Sequence, residues 1–311
     1  MNEIMVTIYC LAYNHEKYIK KALDSFVMQK TNFEFEVLIH DDASTDHTAD
    51  IIKEYAKKYS FIHPIYQEKN QYSQGISIGK NYMYPNIKGK YVAFCEGDDY
   101  WISENKLQMM VDFLENNQEY TMCCHAYKNV DANTEQEMKI VNTLDAEGDL
   151  SVDQVIKYEN PTQLATQVFR RNIVVERPDF SYGLGVGDYP LLLNAAVNGK
   201  VHYFSDIMAV HRVSSDNSWT VRVYKNPQKQ MQHWINMEKY LKIFDEYYSY
   251  KYHKGVIARL DYITFKKCLL TADFKRAKKC KSYDTEAGWK RKLLINMGIV
   301  FPKMVKKMSA L

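Results

Sequence analysis

The stretch Tyr91-Val92-Ala93-Phe94-Cys95-Glu96-Gly97-Asp98-Asp99-Tyr100-Trp101 decides how the chain is read. Its first four residues form an uninterrupted apolar run, as a buried strand does. From about Ser103 onward, Lys106-Leu107-Gln108-Met109-Met110-Val111-Asp112-Phe113-Leu114 has helical spacing. Three carboxylates and a glycine therefore stand where a strand ends and a helix is about to begin. In an open α/β sheet, ligands bind in the crevice beyond the carboxyl ends of the strands. Glu96, Asp98 and Asp99 cannot all stay charged at close quarters without a compensating cation. Mg²⁺ or Mn²⁺ suits them, because hard ions take oxygen ligands, commonly one or two carboxylates completed by substrate phosphates. Alone, Gly-Asp-Asp reads as an acidic surface turn; at a strand end it reads as a metal–nucleotide site.

Toward the N-terminus the same pattern repeats. Residues 5–11 form an apolar strand, followed by the turn Tyr13-Asn14-His15-Glu16. A helix over about 17–28 puts Tyr18, Ile19, Ala22, Leu23, Phe26 and Val27 on one face. Residues 35–40 form a second strand, which ends in Asp41-Asp42-Ala43-Ser44-Thr45-Asp46. The next helix carries Ile51, Ile52, Tyr55, Ala56 and Tyr59 as its stripe, and 61–66 is a short third strand. Gly75 and Gly79 punctuate a polar loop leading to a weaker helix near 80–85. The order β-α-β-α-β-α-β predicts a mostly parallel sheet with helices on both faces. Its carboxylate-bearing turns then share one edge.

Toward the C-terminus the pattern is less regular. A strand is expected over 121–127, a hairpin or exposed loop over 129–148, a helix over 151–158 and a strand over 167–170. Gly183-Leu184-Gly185-Val186-Gly187-Asp188 leads into an apolar helix over 189–197, and a strand over 207–213 ends in His211-Arg212. After about Trp219 the character changes to helices over 229–252 and 256–271, rich in aromatic residues and lysine. Residues 290–303 carry no acid, and Lys306 and Lys307 follow. This segment either lies on an anionic membrane surface or packs on the body with ordinary lysines outward.

Composition narrows the function. Lys and Arg number 41 against 38 Asp and Glu, which argues against a nucleic-acid binder. Cys10, Cys95, Cys123, Cys124, Cys268 and Cys280 show no CxxC or zinc spacing and read as buried, reduced thiols. No basic leader occurs, nor a run of roughly 18 apolar residues, so a cytoplasmic protein is expected, or one attached to a membrane from that side. Neither GxGxxG after the first strand nor GxxxxGK[ST] is present, which argues against dinucleotide oxidoreductases and P-loop NTPases.

Three segments, taken in order, carry a resemblance: Leu11-Ala12-Tyr13-Asn14-His15-Glu16-Lys17-Tyr18-Ile19, Asp41-Asp42-Ala43-Ser44-Thr45-Asp46-His47-Thr48, and Glu96-Gly97-Asp98-Asp99-Tyr100-Trp101. Together they resemble the family 2 glycosyltransferases of GT-A fold, across the first 115 residues and more weakly to about Trp219. The resemblance implies a Rossmann-like, mostly parallel α/β sheet with a C-terminal helical extension. It implies a catalytic domain over 1–220, with a nucleotide-sugar half (1–115) and an acceptor half (116–220), then a helical region over 221–311.

The resemblance also implies roles. Ala12 and Tyr13 line the nucleobase pocket, Glu16 sits near the ribose, and Asp41 or Asp42 accepts a hydrogen bond from the base. Glu96-Gly97-Asp98 takes the family's DxD position, with Glu96 in place of the first Asp. Asp98 contacts ribose or metal, and Asp99 is a metal ligand. Asp188 matches the base at a helix start, where Gly187 replaces the Glu that the family often has; the alternative is a plain helix N-cap. His211-Arg212, followed by Ser214-Ser215, is similar to the family's basic segment near the diphosphate. His211 is then a further metal ligand or merely a strand end, and Arg212 faces the diphosphate.

The expected function is an inverting, Mn²⁺- or Mg²⁺-dependent transfer from a nucleotide-sugar, a UDP-sugar first, to a hydroxyl of a glycan or lipid-linked glycan in bacterial surface polysaccharide synthesis. A hexosyl- or N-acetylhexosaminyl-transferase fits. The rivals are a binding module without turnover and a sugar nucleotidyltransferase. The latter usually has a glycine-rich, basic first loop for triphosphate, which residues 5–14 lack.

Overall fold

The computed structural model describes residues 3–157, 161–182, 187–213 and 219–300. The glycine-rich run before Gly187, the pair Ser214-Ser215 and the tail from residue 301 lie outside the described residues. The chain divides into two compact units, with the break between residues 213 and 219.

The first unit opens with β1 (Ile4–Ala12), α1 (Ile19–Val27), β2 (Glu34–Asp41), α2 (Thr48–Lys58) and β3 (Ile62–Tyr66). The weaker helix expected near 80–85 is instead a set of tight helical turns, Tyr72–Gln74, Gly79–Met83 and Tyr84–Asn86. Then come β4 (Tyr91–Phe94), a two-residue β5 (Tyr100–Trp101), α3 (Lys106–Asn116), β6 (Tyr120–Asp131), β7 (Glu137–Val141) and β8 (Gly148–Leu150). The unit finishes with α4 (Val152–Lys157), β9 (Val168–Arg170), α5 (Arg171–Val175), α6 (Asp188–Asn198) and β10 (Lys200–Val213).

One sheet runs in the order β3-β2-β1-β4-β9-β6-β10-β5, with β7 beside β6 and β8 beside β10. Its first half is parallel, as the alternating order requires: β2–β3, β1–β2 and β1–β4 all run the same way. Beyond β4 the sheet is mixed. β9 is antiparallel to both β4 and β6, while β6 and β10 are parallel. The physical reason is connectivity. The segment from β6 to β10 includes α6 immediately before β10 and is long enough for the crossover that a parallel pair needs. Residues 129–148 take the hairpin option, with β7 folding back antiparallel on β6.

Register sets the heights of the loops. Ala12 lies opposite Asp41, so the turns after β1 and β2 emerge side by side. β4 ends lower, with Phe94 opposite Tyr9, and the acidic turn climbs from there: Cys95 N–H donates to the Tyr9 carbonyl at 3.1 Å and Gly97 N–H to that of Leu11 at 2.9 Å. Gly97 must be glycine. A Cβ there would stand 2.8 Å from His15 Nδ1 and 2.9 Å from Ile19 Cδ1.

The core lies between this sheet and the apolar faces of α1 and α3, and includes Val6, Ile8, Val37, Ile39, Ala93, Ile19, Leu23, Phe26, Leu107 and Met110. Trp101 closes it beneath the acidic turn. Its indole donates to the Ala165 carbonyl at 2.8 Å and packs edge-on against Phe26. Truncating such a side chain costs about 3–5 kcal/mol. All six cysteines are buried free thiols.

The second unit is helical: α7 (Trp219–Tyr224), α8 (Pro227–Tyr247), α9 (His253–Leu270), α10 (Phe274–Lys279), α11 (Ser282–Glu286) and α12 (Trp289–Val300). Asn226 caps α8 by accepting from the N–H groups of Gln228 and Lys229, with Pro227 as the first helical residue. The helix expected over 229–252 stops at Tyr247 because Ser249 and Tyr250 take left-handed φ values of 50° and 61°, turning the chain into α9. No helix among the described residues is long and apolar enough to cross a membrane.

Lys106, the first residue of α3, is fully buried 4.3 Å from the centre of the Trp101 ring, and its Nζ has no hydrogen-bond partner among the described residues. Burial pushes its pKa down to about 8. Unfolded, a lysine titrates near 10.4. Between these values the unfolded chain binds more protons, so stability rises with pH across that window; below it the buried charge costs about 3 kcal/mol. Some of this is returned by the Trp101 ring. Replacing Lys106 by Met is expected to stabilise the protein at neutral pH by about 2 kcal/mol and to flatten its stability from pH 8 upward. Urea denaturation across that pH range checks both.

Candidate active site

Two loops at the sheet edge brace each other. Asn14 N–H donates to Ser44 Oγ at 2.9 Å, His15 N–H to Thr48 Oγ1 at 2.7 Å and Glu16 N–H to Asp46 Oδ2 at 3.1 Å. In return, Asn14 Oδ1 accepts from Thr45 N–H at 2.8 Å and Glu16 Oε2 from His47 N–H at 3.0 Å. Asn14 and Ala43 both take left-handed φ, 55° and 61°, to enter this arrangement. The exposed Glu16, expected near a ribose, here spends one carboxylate oxygen on the neighbouring loop.

The two candidates for the nucleobase contact differ. Asp42 is consumed by the fold: its carboxylate accepts from Gln71 N–H at 2.7 Å and Tyr72 N–H at 3.1 Å. Asp41 accepts only from Ser44 N–H, at 3.2 Å on Oδ2, and its buried Oδ1 has no partner among the described residues. A buried carboxylate oxygen left without a donor is costly, and of the two it is Asp41 that has one. Ala12 is buried and Tyr13 half-buried at the end of β1, across from Asp41.

The acidic turn is held from beneath. Strand β5 pairs Tyr100 with Val210 and Trp101 with Ala209, which brings Asp99 against the next residues of β10. Asp99 Oδ1 accepts from Arg212 N–H at 2.9 Å, both its oxygens lie 3.1 Å from His211 Nδ1, and Oδ2 accepts from Gln163 Nε2 at 3.1 Å. This corrects the expectation that Asp99 is a metal ligand: its carboxylate is buried and already saturated. It orients His211 instead, and with Nδ1 engaged, Nε2 is the nitrogen that can ligate. Burial raises the Asp99 pKa, and His211 opposes this. For His211, burial alone would lower the pKa, but the charge and hydrogen bond of Asp99 outweigh it and the net shift is upward.

Arg212 is likewise not where the sequence reading puts it. Its side chain is buried; Nη1 donates to the Asp98 carbonyl at 2.6 Å and Nε to Glu135 Oε1 at 2.5 Å, and the guanidinium stacks on Tyr100 and Tyr18. Lys21 holds the other oxygen of Glu135 at 2.9 Å. Arg212 therefore braces the acidic turn from within the fold instead of facing a diphosphate.

Asp188 is the first residue of α6, and Gly187 takes the cap position; no side-chain cap bond is made, so Asp188 is not the N-cap. Burial raises its pKa and Arg177 pulls it back. Arg177 is buried, donates to Tyr84 Oη at 2.5 Å and stacks on Tyr182. Glu96 is half-buried, and its pKa is pushed well up by burial and then by the charges of Asp98, Asp188 and Asp99. Asp188, 92 positions from Glu96 by residue number, thus belongs to the same electrostatic neighbourhood.

A hard divalent ion fits this chemistry. Neighbouring carboxylates raise the pKa of Glu96, which suits a cation, and Asp98 with Nε2 of His211 are the residues that could hold one. Among the described residues, no three His, Cys, Asp or Glu side chains converge on a point. An ion would therefore take its remaining ligands from substrate phosphates. Gln163, Glu135, Arg177 and Tyr84 were not legible in the sequence. Each lies in a segment without regular spacing and acquires its place only through the strand order.

The Glycosyl transferase family 2 profile matches residues 7–181. An uncharacterized protein of Mycobacterium tuberculosis strain H37Rv is 34% identical over 217 residues, covering 69% of this chain and 60% of its own length. The chain thus spans about 60% of that curated relative. The Escherichia coli UDP-Glc:alpha-D-GlcNAc-diphosphoundecaprenol beta-1,3-glucosyltransferase WfaP is 30% identical, with 63% of this chain and 71% of that protein aligned. Among solved structures, Staphylococcus aureus TarS in complex with UDP-GlcNAc superposes with a TM-score of 0.59 at 17% identity, covering 92% of this chain and 93% of that one. This last likeness is one of fold.

In protein free of divalent ions, His211 is expected to titrate above 6.5, the ordinary histidine value. In Asp99→Asn, only the weaker influence of Asp98 still opposes burial, and the pKa should fall. NMR titration of the imidazole carbon-bound proton checks this; an unchanged pKa would remove Asp99 from its orienting role.

Proposed function

This chain belongs to glycosyl transferase family 2, and on that premise we propose that it moves a sugar from a UDP-sugar to a hydroxyl of a glycan or lipid-linked glycan, inverting the anomeric centre, in surface polysaccharide assembly. What supports the reading is the partnerless Oδ1 of buried Asp41 after β2, together with the electrostatic influence of Asp188 on the acidic turn after β4. The name of the Escherichia coli relative and the UDP-GlcNAc complex of TarS support a uridine diphosphate donor.

In this reading Asp41 Oδ1 accepts the N–H of the base, with Ala12 and Tyr13 beside it. Glu16 and Glu96 flank the ribose. When bound, Mn²⁺ or Mg²⁺ supplies the positive charge that a departing diphosphate needs, and Asp98 with Nε2 of His211 would hold it. Arg212 and Glu135 keep the turn in place through the Asp98 carbonyl. Asp188 takes the proton of the acceptor hydroxyl while its oxygen bonds to the anomeric carbon and the carbon–diphosphate bond breaks. One displacement from the opposite face inverts the centre. The charge of Arg177 favours the ionised base that this step requires. A lipid-linked acceptor brings the reaction to the cytoplasmic face of a membrane.

The rival reading, a module that binds donor without turnover, separates on one variant. Asp188→Asn is expected to lower kcat by about 10²–10⁴-fold while the thermal shift produced by UDP with Mn²⁺ is kept. Unchanged sugar release in this variant would remove Asp188 as the base, and no release from the native protein with any nucleotide-sugar would favour the binding module.

A second measurement tests the nucleotide. Among UDP, GDP, CDP and dTDP, UDP with Mn²⁺ is expected to raise the melting temperature most. Asp41→Ala should lose that shift without losing the fold. A larger shift with GDP would move the donor assignment to a guanosine diphosphate sugar.

A further inference from the structure

The last described helix of the second unit bears an apolar stripe that the unit leaves uncovered. Trp289, Leu293 and Val300 of α12 are 72%, 55% and 66% exposed. At about 100° per residue, all three point within roughly 40° of one another. The opposite face, with Ile295 and Gly298, is buried. A Cβ on Gly298 would stand 2.2 Å from the Phe274 ring of α10, so α12 is seated too closely to roll. The stripe therefore points outward by construction.

Cations border it. Lys290 Nζ is 5.5 Å from the centre of the Trp289 ring, and Arg291 is exposed beside it. Lys278, reaching over from α10, donates to Asn296 Oδ1 at 3.0 Å, on the stripe's own side of α12. Lys275, Arg276 and Lys279 are exposed on α10, while Lys292 is turned to Asp284. Residues 273–300 hold eight Lys and Arg against three Asp and Glu, and no acid follows Glu286. The net charge of the whole chain is only +3, so its positive excess is concentrated here.

Scattered exposed apolar residues need no explanation. An exposed Trp, Leu and Val on one face of a helix that cannot roll, inside a basic field, do. Nucleic acid would meet the charge but leave the apolar stripe against phosphates. A second copy would cover the stripe but bring like charges together. An anionic bilayer surface satisfies both, since tryptophan favours the headgroup region and lysine and arginine favour lipid phosphates. We propose that the outer face of α12, with the cations of α10 beside it, docks on an anionic lipid bilayer, with Trp289, Leu293 and Val300 entering the headgroup boundary. This deepens the reading of a lipid-linked acceptor, on which its biological purpose rests.

The test is co-sedimentation of the full chain with vesicles of phosphatidylcholine alone or mixed with phosphatidylglycerol. Binding to the mixed vesicles is expected to be at least ten-fold tighter and to weaken with salt. Lys290→Gln with Arg291→Gln should lose about five-fold per charge, and Leu293→Glu about ten-fold or more. Both variants should keep the native melting temperature because the altered side chains are exposed. Equal binding to both vesicle types, or binding indifferent to Leu293→Glu, would overturn the proposal. So would a dimer in solution that Leu293→Glu dissociates, or tighter binding to duplex oligonucleotide than to vesicles. Sugar transfer to a water-soluble acceptor, assayed without vesicles, tests the enzymatic reading separately.

Discussion

A single buried carboxylate holds the active edge together. Asp99 accepts from the Arg212 main chain and from Gln163, and pairs with His211, so two segments far from it in sequence end on its two oxygens. A buried charge of this kind is tolerated only because it is so fully partnered. It could not be so partnered without the short β5, whose pairing of Tyr100 and Trp101 to β10 places it there. Trp101 in turn is fixed by its bond to the Ala165 carbonyl and its packing on Phe26. The acidic turn is thus anchored in the core at Asp99 and the two residues after it.

The same logic governs the charges around it. Arg212 is the natural cation for a diphosphate when only the sequence is in view, but it is committed to Glu135 and the Asp98 carbonyl between two tyrosine rings. Arg177, unremarkable in sequence, opposes the burial that raises the Asp188 pKa. Burial and the charges of Asp98, Asp188 and Asp99 all push the Glu96 pKa up. Two carboxylates of this edge, Asp42 and Asp99, serve the fold, while Asp41 keeps one buried oxygen without a partner among the described residues.

Much of the parallel half was legible, because each of its elements carries its own signal. The apolar runs of β1, β2 and β4 and the one-sided stripes of α1 and α2 need no partner to be recognised. The break in α8 was not legible, since it depends on Ser249 and Tyr250 adopting left-handed backbone that their side chains do not announce. Nor was β5: two residues have no periodicity, and Tyr100-Trp101 is a strand only because β10 lies alongside. The exposed stripe of α12 was half legible. Its cations could be counted, but which apolar residues are buried depends on how closely Gly298 meets Phe274.

The sequence by itself determined the alternating strand–helix order, the carboxylate turns at the strand ends, and the residue types available for donor, metal and base. These follow from local chemistry, in which strand, helix and turn preferences act over a few residues. Only the tertiary structure decided which members of the candidate sets the fold itself engages: Asp42 but not one oxygen of Asp41, the carboxylate of Asp99, and the guanidinium of Arg212. The reason is that availability is a property of partners. A carboxylate is spent or free according to which N–H groups the sheet order brings to it, and no spacing along the chain records that.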